Sequence, residues 1–379
     1  MKQKYKKLAF FILLLSMLTG CMLLSGCTEN KENGSQSSYI VDSDELQDTE
    51  NQMEFVPGSM KGSKQEETSE NEEQGQTEQS RQTVAEENDA EQAKTAGNLE
   101  VHFIDVGQGD ATLIKCDGHS MLIDAGNNDK GTLVQNYLQH QGVETLDYVI
   151  GTHPDADHIG GMDVVLYKFD CKTIIMPDVA NNTRTYDDVV QTMKNKGYKT
   201  TYPVVGETYT IGGAAFTIIA PNKEYGNDMN SWSVGVLLQN GNHRFLFTGD
   251  AEEGAEQDIL QNGIDISADV YKVAHHGSNT ATSQAFLDAV HPTYAVISAG
   301  EGNSYGHPHA EVLNRLRAAG VSVFRTDEQG TIVASSDGTT LTWNMSPSES
   351  WQAGEAKKSQ NTSRILTLFN ASLPILMVF

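Results

Sequence analysis

Between residues 99 and 344 short apolar runs alternate with stretches in which apolar positions return every three or four residues. These are the periods of buried strands and of helices packed on one face. Val101-His-Phe-Ile-Asp-Val106 and Ala111-Thr-Leu-Ile-Lys115 predict two strands joined by a tight turn at Gly107-Gln-Gly-Asp110, and Met121-Leu-Ile-Asp-Ala-Gly126 predicts a third. A helix over 132–138, a strand at 148–152, a helix over 162–169, a strand at 173–176 and a helix over 187–196 follow. The plan then repeats. Phe216-Thr-Ile-Ile-Ala220 and a hairpin of 234–239 with 243–248 open the second half. Helix 253–260, strand 269–274, helix 283–290, strand 294–298, helix 310–319 and strand 321–325 continue it, and a hairpin of 331–335 with 339–343 closes it. Two blocks of strands, each followed by helix–strand alternation, predict an α/β fold: two face-to-face sheets with helices outside, a four-layer αββα sandwich.

The chain outside this region reads differently. Lys2, Lys4, Lys6 and Lys7 precede Leu8-Ala-Phe-Phe-Ile-Leu-Leu-Leu15, the basic and apolar regions of a secretory signal. Leu18-Thr-Gly-Cys21 and Leu24-Ser-Gly-Cys27 both resemble the bacterial lipobox, in which the Cys is lipidated. Cys27 is preferred, because the chain turns polar after it; use of Cys21 would leave Met22-Leu-Leu24 at the start of the mature protein. An uncleaved membrane anchor is the competing reading of 1–27. Either way the body lies outside the cytoplasmic membrane, held by its anchor alone, and one membrane-targeting stretch predicts no transport channel. Residues 28–98 are rich in Glu, Gln, Ser, Asn and Thr. They cannot bury enough apolar surface to offset their ordering entropy, so they are expected to form a disordered acidic tether. Residues 345–379 end in an apolar stretch too short, and too interrupted by Asn370 and Pro374, to span a bilayer comfortably; they are set apart as a tail with no assigned role.

Charge narrows the substrate. The net −25 divides into +4 over 1–27, −13 over 28–97 and −16 over 98–379. An acidic body disfavours nonspecific adhesion to phosphate backbones, so a nucleic-acid substrate would have to be held by metals or a local basic patch. Cys116 and Cys171 lie in the body of an exported chain, where a disulfide is permitted, but both are read as packing residues.

The candidate chemistry sits at strand ends. In His153-Pro-Asp-Ala-Asp-His158 a strand delivers two imidazoles and two carboxylates within six residues, and Gly160-Gly161 lets the backbone pass close by. Such a set suits a pair of divalent metals; a helix-capping surface loop is the alternative. Asp124, Asp250, His275, His276 and His307 also follow strands, and in open sheets ligands gather at the strands' carboxyl edges. Taken singly, Asp250 could be a helix cap, His275–His276 a structural pair and His307 a cap. Asp105 and Asp110 are read as turn-stabilising, with a substrate-facing role as the alternative. Gly107-Gln-Gly109 is not a dinucleotide fingerprint, since Thr112 takes the third glycine's place.

These motifs resemble a known family. Phe103-Ile-Asp-Val-Gly-Gln-Gly-Asp110, Leu122-Ile-Asp-Ala-Gly126, Thr152-His-Pro-Asp-Ala-Asp-His-Ile-Gly-Gly161, Thr248-Gly-Asp250, His275-His-Gly-Ser278 and Gly306-His-Pro-His309 occur in the order found in the metallo-β-lactamase superfamily. More closely, they resemble the hydrolase domain at the end of ComEC-type competence proteins. The resemblance implies two bound metals. His153 and Asp155 match ligands of the first ion, Asp157 and His158 ligands of the second, Asp250 the bridging carboxylate and His276 a later histidine ligand. It implies that Asp124 is the outer acid bracing the ligand loop, and that Asp157, His275 and His307 take part in catalysis.

Two departures shape the expectation. Asp155 stands where most of the superfamily has histidine, which makes manganese as suitable as zinc. No histidine lies between His158 and His243, so the usual ligand before the bridging acid is missing; Asn230 and Ser231 occupy that region as outer residues. The expected function is a surface-anchored, dinuclear metal-dependent hydrolase, a phosphodiesterase acting on extracellular nucleic acid, with His275 or His307 protonating the leaving oxygen. The alternatives are a phosphodiesterase for choline-phosphate or another small wall-linked ester, and a non-catalytic binding lipoprotein with a depleted site. No protein partner is inferred.

Overall fold

The structure, a computed structural model, describes residues 96–355. The signal segment, both lipobox cysteines, nearly all of the tether and residues 356–379 lie outside the described residues. Two mixed sheets form the frame. The first has eight strands in the order β15-β14-β1-β2-β3-β4-β5-β6, and the second seven in the order β13-β12-β11-β10-β9-β8-β7.

In the first sheet β1 (Leu99–Phe103), β2 (Thr112–Cys116) and β3 (His119–Ile123) run antiparallel. The sheet then turns parallel through β4 (Thr145–Ile150), β5 (Asp170–Ile175) and the short β6 (Thr200–Thr201). The second sheet has the same plan: β7 (Thr208–Ile211), β8 (Ala214–Ala220), β9 (Gly235–Asn240) and β10 (His243–Phe247) antiparallel, then β11 (Val270–Lys272), β12 (Tyr294–Ile297) and β13 (Ser322–Arg325) parallel. The last hairpin, β14 (Ile332–Ser336) and β15 (Leu341–Trp343), returns to the first sheet beside β1.

Period-two alternation sets the layers. Leu99, Val101 and Phe103 of β1 meet Phe216, Ile218, Val236, Leu238 and Phe245 in one core between the sheets. The opposite faces are covered by helices. Leu113, Leu122, Leu146 and Val149 pack with Val134 and Leu138 of α1 (Gly131–His140), Val165 of α3 (Met162–Lys168) and Val189 and Met193 of α4 (Arg184–Lys196). The short α2 (Ala156–Ile159) contributes Ile159. Leu237, Leu246, Tyr271 and Ala295 pack with Ile259 of α5 (Glu253–Gln261), Phe286 and Leu287 of α6 (Gln284–Val290) and Val312, Leu313 and Leu316 of α7 (Ala310–Ala318). Three apolar layers between four structural ones make this the αββα sandwich. Helix boundaries follow local chemistry: Thr183 Oγ1 accepts from Tyr186 N at the start of α4, and Gly197, at φ 74°, stops it.

Several elements depart from the sequence pattern. Regular pairing of β1 ends at Phe103, and residues 104–111 form a wide connection rather than a tight turn, held by Ile104 N donating to Ala111 O at 2.9 Å. The strand β7, Thr-Tyr-Thr-Ile, is too short and polar to stand out. The chain also stays packed beyond 344. Ser348 N donates to Val323 O (2.7 Å), Gly354 N to Pro308 O (2.9 Å), and the buried Arg325 guanidinium reaches Gln352 O (2.6 Å). The first residues of the segment set apart as a tail therefore belong to the fold. Cys116 and Cys171 are buried and unbridged, and burial pushes the Cys171 thiol up to about 12. Among the described residues no helix is long and apolar enough to cross a membrane.

The inter-sheet core predicts a stability outcome. Phe216 is fully buried there, edge-on to Tyr148 at 5.0 Å and stacked on Tyr209 at 5.1 Å between ring centroids. Phe216→Ala is expected to cost about 3–5 kcal/mol in denaturant unfolding; a loss under 1 kcal/mol would mean that the two sheets do not share this core.

Candidate metal centre

Each site residue is delivered by the end of a strand. Asp124 follows β3, takes a left-handed φ of 59° and is wholly buried. Asp124 Oδ1 accepts from Thr152 N (2.8 Å), and Oδ2 accepts from Thr152 Oγ1 (2.8 Å) and His158 Nδ1 (2.8 Å). This acid thus fixes both the start of the 153–158 loop and the tautomer of His158. The loop leaves β4 extended, and α2 turns His158 back over it. Gly160 and Gly161 are required by space: a Cβ would stand 2.3 Å from Ala156 O in one case and 2.4 Å from Ala125 O in the other. Asp250 follows β10 through Gly249. His275 and His276 follow β11 in a 3₁₀ turn, both in left-handed backbone (φ 49° and 54°), a conformation that surrounding structure must enforce.

These ends converge. His158 Nε2 lies 3.2 Å from Asp250 Oδ1, and His276 Nε2 lies 3.4 Å from Asp157 Oδ2 and 3.5 Å from Asp250 Oδ2. His153 Nε2 lies 3.8 Å from Asp155 Oδ2, and the His153 and His158 rings are 4.1 Å apart. His153, His158 and Asp250 form one group whose donor atoms all lie within 4.8 Å of each other; Asp157, His158 and His276 form another. The Nε2 atoms of His153, His158 and His276 and Oδ1 of Asp250 are buried without a hydrogen-bond partner. Their close approaches are therefore proximity without bonding alignment, the geometry of donors turned toward a common point. Three imidazole nitrogens and carboxylate oxygens so arranged fit divalent cations.

The two groups are unequal. Asp157, His158, Asp250 and His276 offer four donors for one ion. The other has His153, Asp250 and Asp155, whose side chain is 40 % exposed and lies outside the tight groups. Ser233 stands beside this depleted side. Its hydroxyl accepts from Asp250 N (3.0 Å) and lies 3.3 Å from His153 Nδ1. Ser231, expected nearby, instead donates to Asp228 (2.7 Å), whereas Asn230, on the same 3₁₀ turn at 230–232, donates to Glu252 (3.2 Å), the acid beside His275. The outer role expected of Ser231 thus falls to Ser233, two residues on.

His275 lies at the rim, with Nε2 3.6 Å from Asp250 Oδ2 and Nδ1 3.3 Å from Glu252 Oε1. His307 is buried behind it, its ring centroid 5.6 Å from that of His275 and 6.1 Å from that of His276. Neither joins the donor groups. Two further residues escaped the sequence reading. Asp110 is no turn residue: it is buried against the Lys272 ammonium, with Oδ1 3.2 Å from His276 Nδ1. Asp105 does stabilise the turn, accepting from Gly107 N at 2.9 Å. Only the strict Gly109-Asp110 junction hinted at a special position, and a lone lysine inside a strand gave no signal.

Electrostatics follow from crowding, described for the metal-free chain. Burial opposes charge on His276, but Asp250 and Asp110 outweigh it and raise the imidazole to about 9. His158 is likewise raised well above its usual value, with Asp250 and Asp124 overcoming burial. The same histidines hold Asp250 and Asp157 below the usual carboxylate range against burial. Burial and the neighbouring His158 push His153 down to about 3. Burial, with His276 and His275 adding, pushes His307 down to about 3.

A family model described as the metallo-beta-lactamase superfamily matches residues 104–301. "ComE operon protein 3" of Bacillus subtilis is 31 % identical over 255 residues, covering 62 % of this chain and 32 % of that protein. "Recombination protein 2" of Haemophilus influenzae is 33 % identical over 238 residues, covering 62 % and 28 %. The chain thus spans about a third of the length of these relatives. Among solved structures, the metallo-beta-lactamase fold protein YhfI from Bacillus subtilis aligns with a TM-score of 0.43 at 12 % identity, over 65 % of this chain and all of that one.

The raised histidines give a pH prediction. At pH 7 the metal-free centre keeps protons on His276 and His158, which a cation must displace from Nε2. Divalent-cation uptake is expected to release protons at pH 7 and to strengthen as pH rises toward 9. Calorimetry in buffers of different ionisation enthalpy measures the release; heat independent of buffer would contradict it.

Proposed function

Because the chain belongs to the metallo-β-lactamase superfamily and resembles the ComEC-type hydrolase domain, we propose that it is a dinuclear metal-dependent phosphodiesterase acting on nucleic acid outside the cytoplasmic membrane. The observation that carries this reading is the set of buried, unpartnered donor atoms on His153, His158, Asp250 and His276. Asp157, His158, Asp250 and His276 would hold one ion, and His153, Asp155 and Asp250 the other. When bound, zinc or manganese supplies the Lewis acidity that activates water at neutral pH and neutralises charge on a phosphoryl oxygen.

The chain's own residues supply the rest. Asp124 and Thr152 hold His158 in one tautomer, and Ser233 does the same service for His153. His275, at the rim and flanked by Asp250 and Glu252, is placed to hand a proton to the leaving oxygen. His307, which lies behind His275 and is pushed down to about 3 by burial, would act as a neutral imidazole. Gln108 Nε2 lies 3.5 Å from His307 Nδ1; with Gln108 donating, His307 Nε2–H remains to donate a hydrogen bond to a substrate oxygen. Lipidation at Cys27, or at Cys21, would tether the domain to the outer face of the membrane.

The name of one relative, "Recombination protein 2", refers to recombination, which supports nucleic acid as substrate. One feature favours a second reading, a small ester such as a choline-phosphate conjugate. A cavity of about 690 Å³ beside Gln108 is lined by Asp105, Glu301, Asp327 and Glu328, with Lys130 the cation among them. Arg325 pairs with Asp327 and Glu328, which leaves Asp105 and Glu301 to favour a compact or cationic group over a phosphate backbone.

Metal analysis joined to a substrate screen tests these readings. Near two equivalents of metal with turnover of single-stranded DNA or RNA supports the first, and turnover confined to small diesters the second. One equivalent and no turnover leaves a non-catalytic binding protein. Asp250→Ala is expected to abolish hydrolysis of bis(p-nitrophenyl) phosphate while the far-ultraviolet circular dichroism is retained. His275→Ala should lower kcat about 10²–10⁴-fold on a diester with a poor leaving group. On bis(p-nitrophenyl) phosphate, whose leaving group needs no proton, the loss should be far smaller; equal losses on both would remove His275 from that role.

A further inference from the structure

The metal ligands come from two sheets. His153, Asp155, Asp157 and His158 follow β4 of the first, whereas Asp250 and His276 follow β10 and β11 of the second. One charged pair crosses between them beside the centre. Asp110 precedes β2 of the first sheet, and Lys272 ends β11 of the second. Their side chains are 7 % and 3 % exposed, and the ammonium donates to Asp110 Oδ2.

Asp110 is also tied to the ligand loop through its backbone. Asp110 N donates to Asp157 O (3.0 Å), and Gly126 N donates to Asp110 O (2.8 Å). The contact is close enough that a Cβ on Gly109 would stand 2.4 Å from Asp157 O. On the other side, Asp110 Oδ1 lies 3.2 Å from His276 Nδ1 and Oδ2 lies 4.0 Å from His158 Nδ1. His276 Nδ1 itself donates to Ser298 O at 3.0 Å, so Asp110 abuts the ring without being its sole acceptor.

We propose that the buried Asp110–Lys272 pair is a positioning device that sets the separation of the two ligand half-sites. The inference rests on the metal-centre reading above. An apolar contact would fill the same volume, but packing tolerates sliding where an ion pair confines two atoms to hydrogen-bond range. Buried ion pairs add little net stability, and their best-attested use is to specify geometry. A metal site needs its donors held to about 0.5 Å, and this pair links the Asp157 backbone to the strand that presents His276.

The test uses the full chain and three variants: Asp110→Asn, Lys272→Met and the two combined. Each single substitution leaves one buried charge unpaired, so both should lower the thermal midpoint and weaken uptake of the second equivalent of manganese or zinc by about 10–100-fold. The double variant carries neither charge of the pair, so its midpoint should recover. Its metal affinity and the visible absorption of its cobalt(II)-loaded form should not, because the half-sites are no longer registered. A double variant that takes up two ions with parental affinity and parental cobalt spectrum would reduce the pair to a structural contact. Single variants with unchanged affinity would overturn the inference as well. Failure of the parent chain to take up any metal would instead overturn the metal-centre reading, and the inference with it.

Discussion

Ionisable side chains buried without partners cost several kcal/mol each in desolvation, and this fold gathers such groups at one point. Wholly buried His153, His158 and His276 face the nearly buried Asp250, with donor atoms left free of hydrogen bonds. No single helix or loop could gather that arrangement against the cost of its desolvation. Two sheets do so, because their strands end at the same rim and their shared apolar core fixes one against the other. Asp124 and Ser233 then complete the restraint from behind, turning ring nitrogens outward by occupying the ones opposite.

The same constraint explains where the backbone is strained. Asp124, His275 and His276 all take left-handed φ values, a conformation that bulky residues avoid. Asp124 directly follows the end of β3, and His275 and His276 stand in the turn just beyond β11. Gly249 and Gly109 take positive φ values with less strain, the first before Asp250 and the second where the chain crosses Asp157 O.

The centre is lopsided, and chemistry follows from that. The side built on Asp157, His158, Asp250 and His276 is enclosed and rich in nitrogen, whereas the side of His153 relies on a half-exposed Asp155. An open, oxygen-rich position leaves room for substrate and solvent and tolerates harder cations.

Much of this was legible in the sequence. Apolar runs with period two, the glycines beside each acid and the repeat of one plan in two halves specified the sandwich, because each reflects a local rule of backbone or burial. The candidate donors His153, Asp157, His158, Asp250 and His276, which the fold brings together, were legible for the same reason, since a strand end followed by glycine or a turn is a local signature; Asp155, from the same loop, stays outside the tight groups. Other features have no local signature. The pairing of β14 with β1, the burial of Asp110 on Lys272, the passing of the outer role from Ser231 to Ser233 and the docking of residues 345–355 all join positions far apart in the chain or depend on which way one turn points. Sequence determined which side chains stand at the strand ends. Only the packing of one sheet on the other decided which of them meet, because distance between sheets is a property of the shared core and of no segment within it.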